Sequence, residues 1–331
     1  MTGIAQLAGL VERFRSTEVV VAGDFMADEY VYGETERISR EAPVLIVRYE
    51  RSELQPGGAG NAAQNLAALG VRVRAVGVVG DDALGSTLLD TLAAAHVDVT
   101  GLVRVRGRAT ESKTRILAGG RSTRRQQMLR VDRAPATPLS ATAEARVTRE
   151  LERAARGARA VLVSDYGSGS LGPSALEALR AVKRAGLPVC VDSRYRLLAY
   201  TGLTMVKPNE PELEAASGVA LSGPGALERA ARVLLRRIGC EQLLVTRGRH
   251  GMSLFRKGQP VLHVPAHGTQ EAVDVTGAGD TVAATYCAAV AAGAGPEAAA
   301  RLANVAGALV VLKPGTATIS GAELVAEIAK G

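Results

Sequence analysis

The sequence predicts an α/β fold, a mostly parallel sheet covered by helices on both faces with a small β lid inserted into it. Two observations carry that prediction. Short β-branched runs alternate along the chain with Ala/Leu/Arg stretches of helical period, the pattern of a parallel sheet whose crossovers are helices. Two further segments read as strands with no helix between them, as a hairpin inserted in such a domain would.

In chain order the first strand is Val19-Val20-Val21-Ala22, a helix follows Gly60, a strand spans 73–79 and a helix follows Gly85. The pattern resumes with a strand at 160–164, a helix at 174–184, strands at 188–192 and 243–246, and a buried Gly/Ala-rich helix at 281–295. The lid insertions fall at about 29–56 and 110–133. The first holds Val44-Leu45-Ile46-Val47; the second holds Thr114-Arg115-Ile116-Leu117, a Gly119-Gly120 turn and Gln127-Met128-Leu129-Arg130-Val131. An edge extension of the main sheet is the alternative for these strands. At 331 residues and 47% hydrophobic composition, and with no repeat or linker, the chain reads as a single domain, 1–331.

Glu12, Arg13 and Arg15 interrupt the stretch a signal peptide would need, and segment 281–295 falls short of the roughly 20 apolar residues that span a bilayer. Neither secretion nor a membrane is expected. Cys190, Cys240 and Cys287 are odd in number and include no Cys-x-x-Cys pair, so neither a disulfide framework nor a zinc site is indicated and a reducing cytoplasm fits. The net charge is +7, yet aromatics are 3% and tryptophan is absent. The stacking platforms of a nucleic-acid binder are therefore scarce, and a phosphorylated small substrate is the better use of the charge.

Ligands of open α/β sheets sit outside the carboxyl ends of the strands, which directs attention to Gly23-Asp24, Ser164-Asp165, Asp192 and Pro208-Asn209. The strongest chemical signal is Asp274-Val275-Thr276-Gly277-Ala278-Gly279-Asp280-Thr281 ahead of the Ala-rich helix. Small residues at a helix start leave N–H groups uncovered for an anion, and an Asp in the same turn can take a proton from an attacking hydroxyl. Phosphoryl transfer needs both elements plus Mg²⁺. A tight connection is the bland alternative. No Gly-x-x-x-x-Gly-Lys-Ser/Thr run occurs, so a P-loop is excluded.

The second signal is Pro56-Gly57-Gly58-Ala59-Gly60-Asn61. Its glycines let backbone approach a sugar ring, while Asn61 can either bind hydroxyls or cap the following helix. Asp24 and Asp28 can accept from a polyol or stand as solvated loop acids. In Asn209-Glu210-Pro211-Glu212, Asn209 and Glu212 share a side and can organise Mg²⁺ waters and phosphate oxygens, or form a helix cap with Pro211 in its first turn.

Together, Gly57-Gly58 to Asn61 and Asp274 to Asp280 resemble the two signatures of the ribokinase-like, or PfkB, carbohydrate kinase family, over nearly the whole chain. The family fold is a three-layer sandwich. Within it, segments 23–44, TESKTRILAGGRSTRRQQMLRVD, VLVSDYGSGSL, VKPNEPELEAASG, LLVTRGRHGMSLF and AVDVTGAGDTV are similar to kinases acting on D-glycero-D-manno-heptose 7-phosphate. The resemblance implies Asp280 as the base for the anomeric hydroxyl, with Gly277, Ala278 and Gly279 as anion hole. It implies ATP held by Asn209, Glu210, Pro211, Glu212, Thr246, Gly248 and Thr276, Mg²⁺ reached through water by Glu212, and leaves a monovalent cation open. Substrate contacts are expected from Asp24, Asp28, Gly57, Gly58, Asn61, Lys113, Arg115 and Asp165. A homodimer paired through the β lid is implied as well. Bifunctional relatives carry a further nucleotidyltransferase domain; with Gly331 as last residue, that transfer is expected from another protein.

Two departures stand out. Asp192-Ser193-Arg194 replaces a frequent Asp-Pro-Lys run, and the turn Arg121-Ser122-Thr123-Arg124-Arg125 is unusually basic. Lys113, Arg115 and the Arg124/Arg125 pair are expected to reach the sugar's distal phosphate, because guanidinium forks suit phosphate oxygens; a solvated basic lid is the alternative. Two rival functions remain, a kinase for another sugar or nucleoside and a non-catalytic basic sugar- or nucleic-acid-binding protein.

Overall fold

The structure, a computed structural model, describes residues 3–120, 125–268 and 271–330. The elements are α1 (Ile4–Glu12), β1 (Glu18–Ile38), β2 (Leu45–Gly58), α2 (Ala59–Ala68), β3 (Arg72–Gly80), α3 (Ala83–Ala94) and β4 (Val97–Val105). Then come β5 (Ser112–Gly119), β6 (Gln126–Arg133), α4 (Ala141–Ala155), β7 (Ala160–Asp165), α5 (Pro173–Arg184), β8 (Val189–Ser193), β9 (Met205–Val206) and α6 (Glu210–Ser217). The chain closes with α7 (Ala226–Ile238), β10 (Gln242–Thr246), β11 (Met252–Arg256), β12 (Leu262–Val264), α8 (Ala278–Ala291), α9 (Pro296–Val310) and α10 (Gly321–Ile328).

The main sheet runs β12-β11-β10-β9-β8-β7-β1-β3-β4. It is parallel from β10 to β4, and β11 and β12 add an antiparallel edge. Its strands read as unbroken apolar runs because both faces are covered. Val19, Val21, Ala160 and Leu162 pack into the core under α1, α2, α3, α8, α9 and α10, while Val20, Ala22, Val161 and Val163 pack into the core under α4, α5, α6 and α7. One apolar strand thus serves two cores through its period of two.

β1 belongs to two sheets. Residues 18–24 pair with β3 and 19–23 with β7; from Phe25 the strand pairs antiparallel with β2, and from Ala27 parallel with β5. β6 completes this lid sheet. The lid is therefore an inserted sheet rather than an edge extension, and it begins a few residues before the expected insertion at 29. It carries the exposed side chains of Ile38, Leu45, Tyr49, Met128, Leu129 and Val131.

The Gly/Ala-rich helix α8 is apolar all round and buried from Asp280 to Ala289, as a helix enclosed by its neighbours must be. Among the described residues no helix is long and apolar enough to cross a membrane.

Candidate active site

The amino end of α8 leaves amides bare. Gly277 caps it at φ +76°, and a Cβ there would lie 2.7 Å from the Asn61 side-chain nitrogen, so conformation and space both demand glycine. Among the described residues the N–H groups of Gly277, Gly279 and Asp280 meet no acceptor, whereas that of Ala278 donates to the Val275 carbonyl at 3.3 Å. First-turn amides without an intrahelical partner form an anion site. Of the three amides expected to be bare, that of Ala278 is taken, and the Asp280 amide is bare beside those of Gly277 and Gly279.

Asp280, in the first turn of α8, is 5% exposed. Its Oδ2 accepts from Asn61 Nδ2 at 2.7 Å and its Oδ1 from the Tyr166 hydroxyl at 3.0 Å. Burial first, and then the neighbouring Asp192 carboxylate, push its carboxyl from 3.8 up to about 7, against the opposing pull of Asn61, Tyr166 and Lys207. A carboxylate titrating near neutrality is matched to general-base work.

Behind the helix start, Lys207 Nζ pairs with Asp192 Oδ2 at 2.9 Å. Lys207 is 4% exposed, and a Cβ on Gly279 would lie 3.5 Å from its nitrogen. Burial works against the ammonium, but Asp192 outweighs it and holds the amine above its ordinary range. The sequence offered a signal: Lys207 ends an apolar strand-like run directly before Pro208-Asn209.

Asn61 does not cap the helix. It lies inside α2, whose cap is Gly58, and it is committed to Asp280. Its Oδ1 accepts from Asn65 Nδ2 at 3.1 Å, and Asn65 Oδ1 accepts from the Thr281 hydroxyl at 2.8 Å. Asn61 and Asn65 sit four apart on one helix face, so an Asn pair at that spacing in an Ala-rich helix was the overlooked clue.

Several residues expected to contact the substrate already hold protein partners. Asp24, 2% exposed, accepts from the backbone N–H groups of Tyr166, Ser168 and Ser170 at 2.8, 3.0 and 3.1 Å. Asp165 accepts from the Gly167 amide and from the hydroxyls of Ser193 and Tyr200. Asp28 and Arg115 pair with each other at 2.5 Å. These are short acids and a fork already satisfied inside the fold. Gly57 and Gly58 seat β2 on β1, where added Cβ atoms would approach Asp28 Oδ2 to 2.3 Å and the Asp24 carbonyl to 2.5 Å. Arg125 pairs with Glu50 across the lid; Arg124 lies outside the described residues. Lys113 alone of the expected cations makes no ion pair among the described residues, and it stands 5.2 Å over the Tyr166 ring.

The Asn209 segment forms a capping box. Glu212 N–H donates to Asn209 Oδ1 at 2.8 Å and Asn209 N–H to Glu212 Oε2 at 2.9 Å, with Pro211 in the first turn of α6. The box leaves Glu212 Oε1 without a hydrogen-bond partner among the described residues, so the carboxylate can accept from a metal-bound water while capping. Asn209 bridges to Thr246 in parallel β fashion, and Glu210 pairs at 3.0 Å with Arg247, next to Gly248. The expected nucleotide residues Asn209, Glu210, Pro211, Glu212, Thr246 and Gly248 are thus brought together. The Thr276 amide donates to Asp274 Oδ1 at 2.9 Å, which sets the turn into Gly277.

The model of the pfkB family of carbohydrate kinases matches residues 16–322. The bifunctional protein HldE of Pelobacter propionicus is 41% identical over 325 residues, 98% of this chain and 65% of the relative. The bifunctional protein HldE of Geobacter sulfurreducens is 43% identical over 311 residues, 93% of this chain and 62% of the relative. The chain therefore spans somewhat under two thirds of these relatives. The fold is similar to that of Arabidopsis thaliana ribokinase complexed with ribose and ATP, with a TM-score of 0.75, 22% identity and coverage of 94% of this chain and 98% of that one. It is also similar to Escherichia coli phosphofructokinase-2 in complex with fructose-6-phosphate, with a TM-score of 0.73, 21% identity and coverage of 95% and 98%. The chain belongs to the pfkB family of carbohydrate kinases and is a sugar kinase.

Proposed function

We propose that the chain transfers the γ-phosphoryl group of ATP to the anomeric hydroxyl of D-glycero-D-manno-heptose 7-phosphate, giving ADP and the 1,7-bisphosphate. The observation that carries the reaction is the buried Asp280 carboxylate held between Asn61 and Tyr166 beside bare helix amides. Asp280 takes the hydroxyl proton, while the N–H groups of Gly277, Gly279 and Asp280 donate to the oxygens of the migrating phosphoryl. Lys207, paired with Asp192 behind Gly279, adds positive charge beneath them. The Asn209–Thr246 corner receives the nucleotide. Mg²⁺ neutralises charge on the phosphates when bound, and the free Glu212 Oε1 would hold it through water.

The heptose assignment rests on the likeness of the lid, the VLVSDYGSGSL stretch and the VKPNEPELEAASG stretch to heptose 7-phosphate kinases. Lys113, free of an ion pair among the described residues and standing over Tyr166, is the cation best placed for the substrate's phosphate. The product serves surface heptose precursors such as those of lipopolysaccharide, and ATP and phosphosugars place the reaction in the cytoplasm. The exposed lid side chains Ile38, Leu45, Tyr49, Leu129 and Val131 pair two copies of the chain.

The test is incubation with ATP, Mg²⁺ and heptose 7-phosphate, followed by ³¹P and ¹H NMR. A new anomeric phosphate supports the proposal, and its configuration decides between routes to ADP- and GDP-linked heptose. No turnover of this sugar while another sugar or nucleoside is phosphorylated would transfer the assignment to that substrate.

A further inference from the structure

Tyr166 was not among the expected site residues, yet it connects three parts of the site. Its hydroxyl donates to Asp280 Oδ1 at 3.0 Å. Its amide donates to Asp24 Oδ2 at 2.8 Å, and Asp24 also gathers the Ser168 and Ser170 amides, so the loop bearing the ring is pinned from β1. One side of the ring meets Gly58, where an added Cβ would lie 3.4 Å from Tyr166 Cδ2; the Lys113 ammonium stands 5.2 Å from its centroid.

From this geometry we infer that Tyr166 is the positioning residue of the catalytic base. With Asn61 on Oδ2 and Tyr166 on Oδ1, each carboxylate oxygen carries one fixed donor, and the lone pairs that remain are aimed at the incoming hydroxyl. The Asp24 clamp on the loop makes that aim independent of the ligand. The inference rests on the reading of Asp280 as the base of a sugar kinase.

A donor to the ionised form favours that form, so loss of the phenol hydroxyl raises the pH at which Asp280 becomes a base. The charged and titratable groups facing Asp280 are Asp192 from β8, Lys207 after β9 and Tyr166 after β7, with Glu212 of α6 and Arg194 after β8 behind them. All but the phenol remain in Tyr166→Phe.

The test needs no substrate. Melting temperatures of wild type and Asp280→Asn are compared from pH 4 to 9; the difference changes between the ionisation of the unfolded carboxyl and that of the folded one, so the upper pH at which it levels off reports the ionisation of Asp280 in the folded chain. The comparison is repeated in the Tyr166→Phe background. The expected result is a levelling-off pH higher by about half a unit or more, the shift one hydrogen bond to a carboxylate produces. An unmoved levelling-off pH overturns the inference, as does a flat difference in both backgrounds. Turnover on the sugar phosphate the wild type uses gives a second readout, with kcat of Tyr166→Phe falling about tenfold and its acid limb moving up. If Asp280→Asn abolishes turnover while Tyr166→Phe changes neither kcat nor the limb, only the role of Tyr166 fails. If Asp280→Asn turns over normally, the reading beneath it fails.

Discussion

Asp280→Asn should make the protein more stable and nearly inactive, and the first effect should depend on pH. In the folded chain the Asp280 carboxyl is pushed from 3.8 to about 7, chiefly by burial. A carboxyl raised in the folded state is neutral in both states well below its unfolded value of 3.8 and adds no penalty there. Between 3.8 and 7 the unfolded chain releases the proton first, so stability is progressively lost, and above 7 the loss is complete. At about 1.4 kcal/mol per pKa unit, the pH-dependent part reaches about 4 kcal/mol. An unfolding entropy of roughly 2 cal/mol/K per residue over a chain of 331 residues converts this to about 6 °C in Tm. Asn adds a pH-independent cost of about 1–3 kcal/mol, because its amide cannot accept from both Asn61 and Tyr166. Differential scanning calorimetry of both proteins at pH 4 and pH 8 should show the variant gaining about 6 °C on the wild type between the two. A Tm difference that stays flat across that range would refute the claim that this carboxylate is ionised at a cost.

Gly277→Ala forces a Cβ into the left-handed region and to 2.7 Å from Asn61 Nδ2, so it should cost about 1–2 kcal/mol from the backbone alone and lower kcat with it; unchanged Tm and kcat would contradict the cap geometry. Lys207→Met leaves Asp192 buried without its partner and should destabilise by about 3–5 kcal/mol in urea unfolding, whereas a loss under 1 kcal/mol would show that water already screens the pair. The wild-type kcat/KM for the sugar should fall as pH drops below about 7, where Asp280 takes up its proton; a flat profile down to pH 5 would remove Asp280 from the rate equation. Leu129→Asp in the exposed lid should convert the proposed dimer to monomers in light scattering, and an unchanged mass would remove the lid as its interface.

Much of the fold was legible because its signals are local. Strands such as Val19 to Ala22 announce themselves by unbroken branched residues, and the Gly-rich entry to α8 by its lack of side chains. The dual membership of β1 was less so, since nothing in Glu18–Ile38 marks where one sheet hands over to another. The proposed base and the bare amides beside it lie in one contiguous run and could be singled out from it. The residues that hold the base were not: Asn61, Tyr166 and Lys207 reach Asp280 or its first turn from three separate elements, and only the folded topology brings them within 3–4 Å. The acids expected at the sugar, Asp24 and Asp165, hold protein partners that were not foreseen, for a related reason. A carboxylate at a strand end suits a ligand, but it suits the bare amides of the next loop equally well, and here those amides were nearer.

Single-turnover phosphoryl transfer from ATP to heptose 7-phosphate, measured for wild type and Asp280→Asn alongside ATP binding by calorimetry, tests the central claim most directly. A rate lower by roughly 10²–10⁴-fold with ATP affinity retained is the expected result. Transfer by the variant at close to the wild-type rate would show that the proton leaves by another route, and the assignment of the base would be wrong.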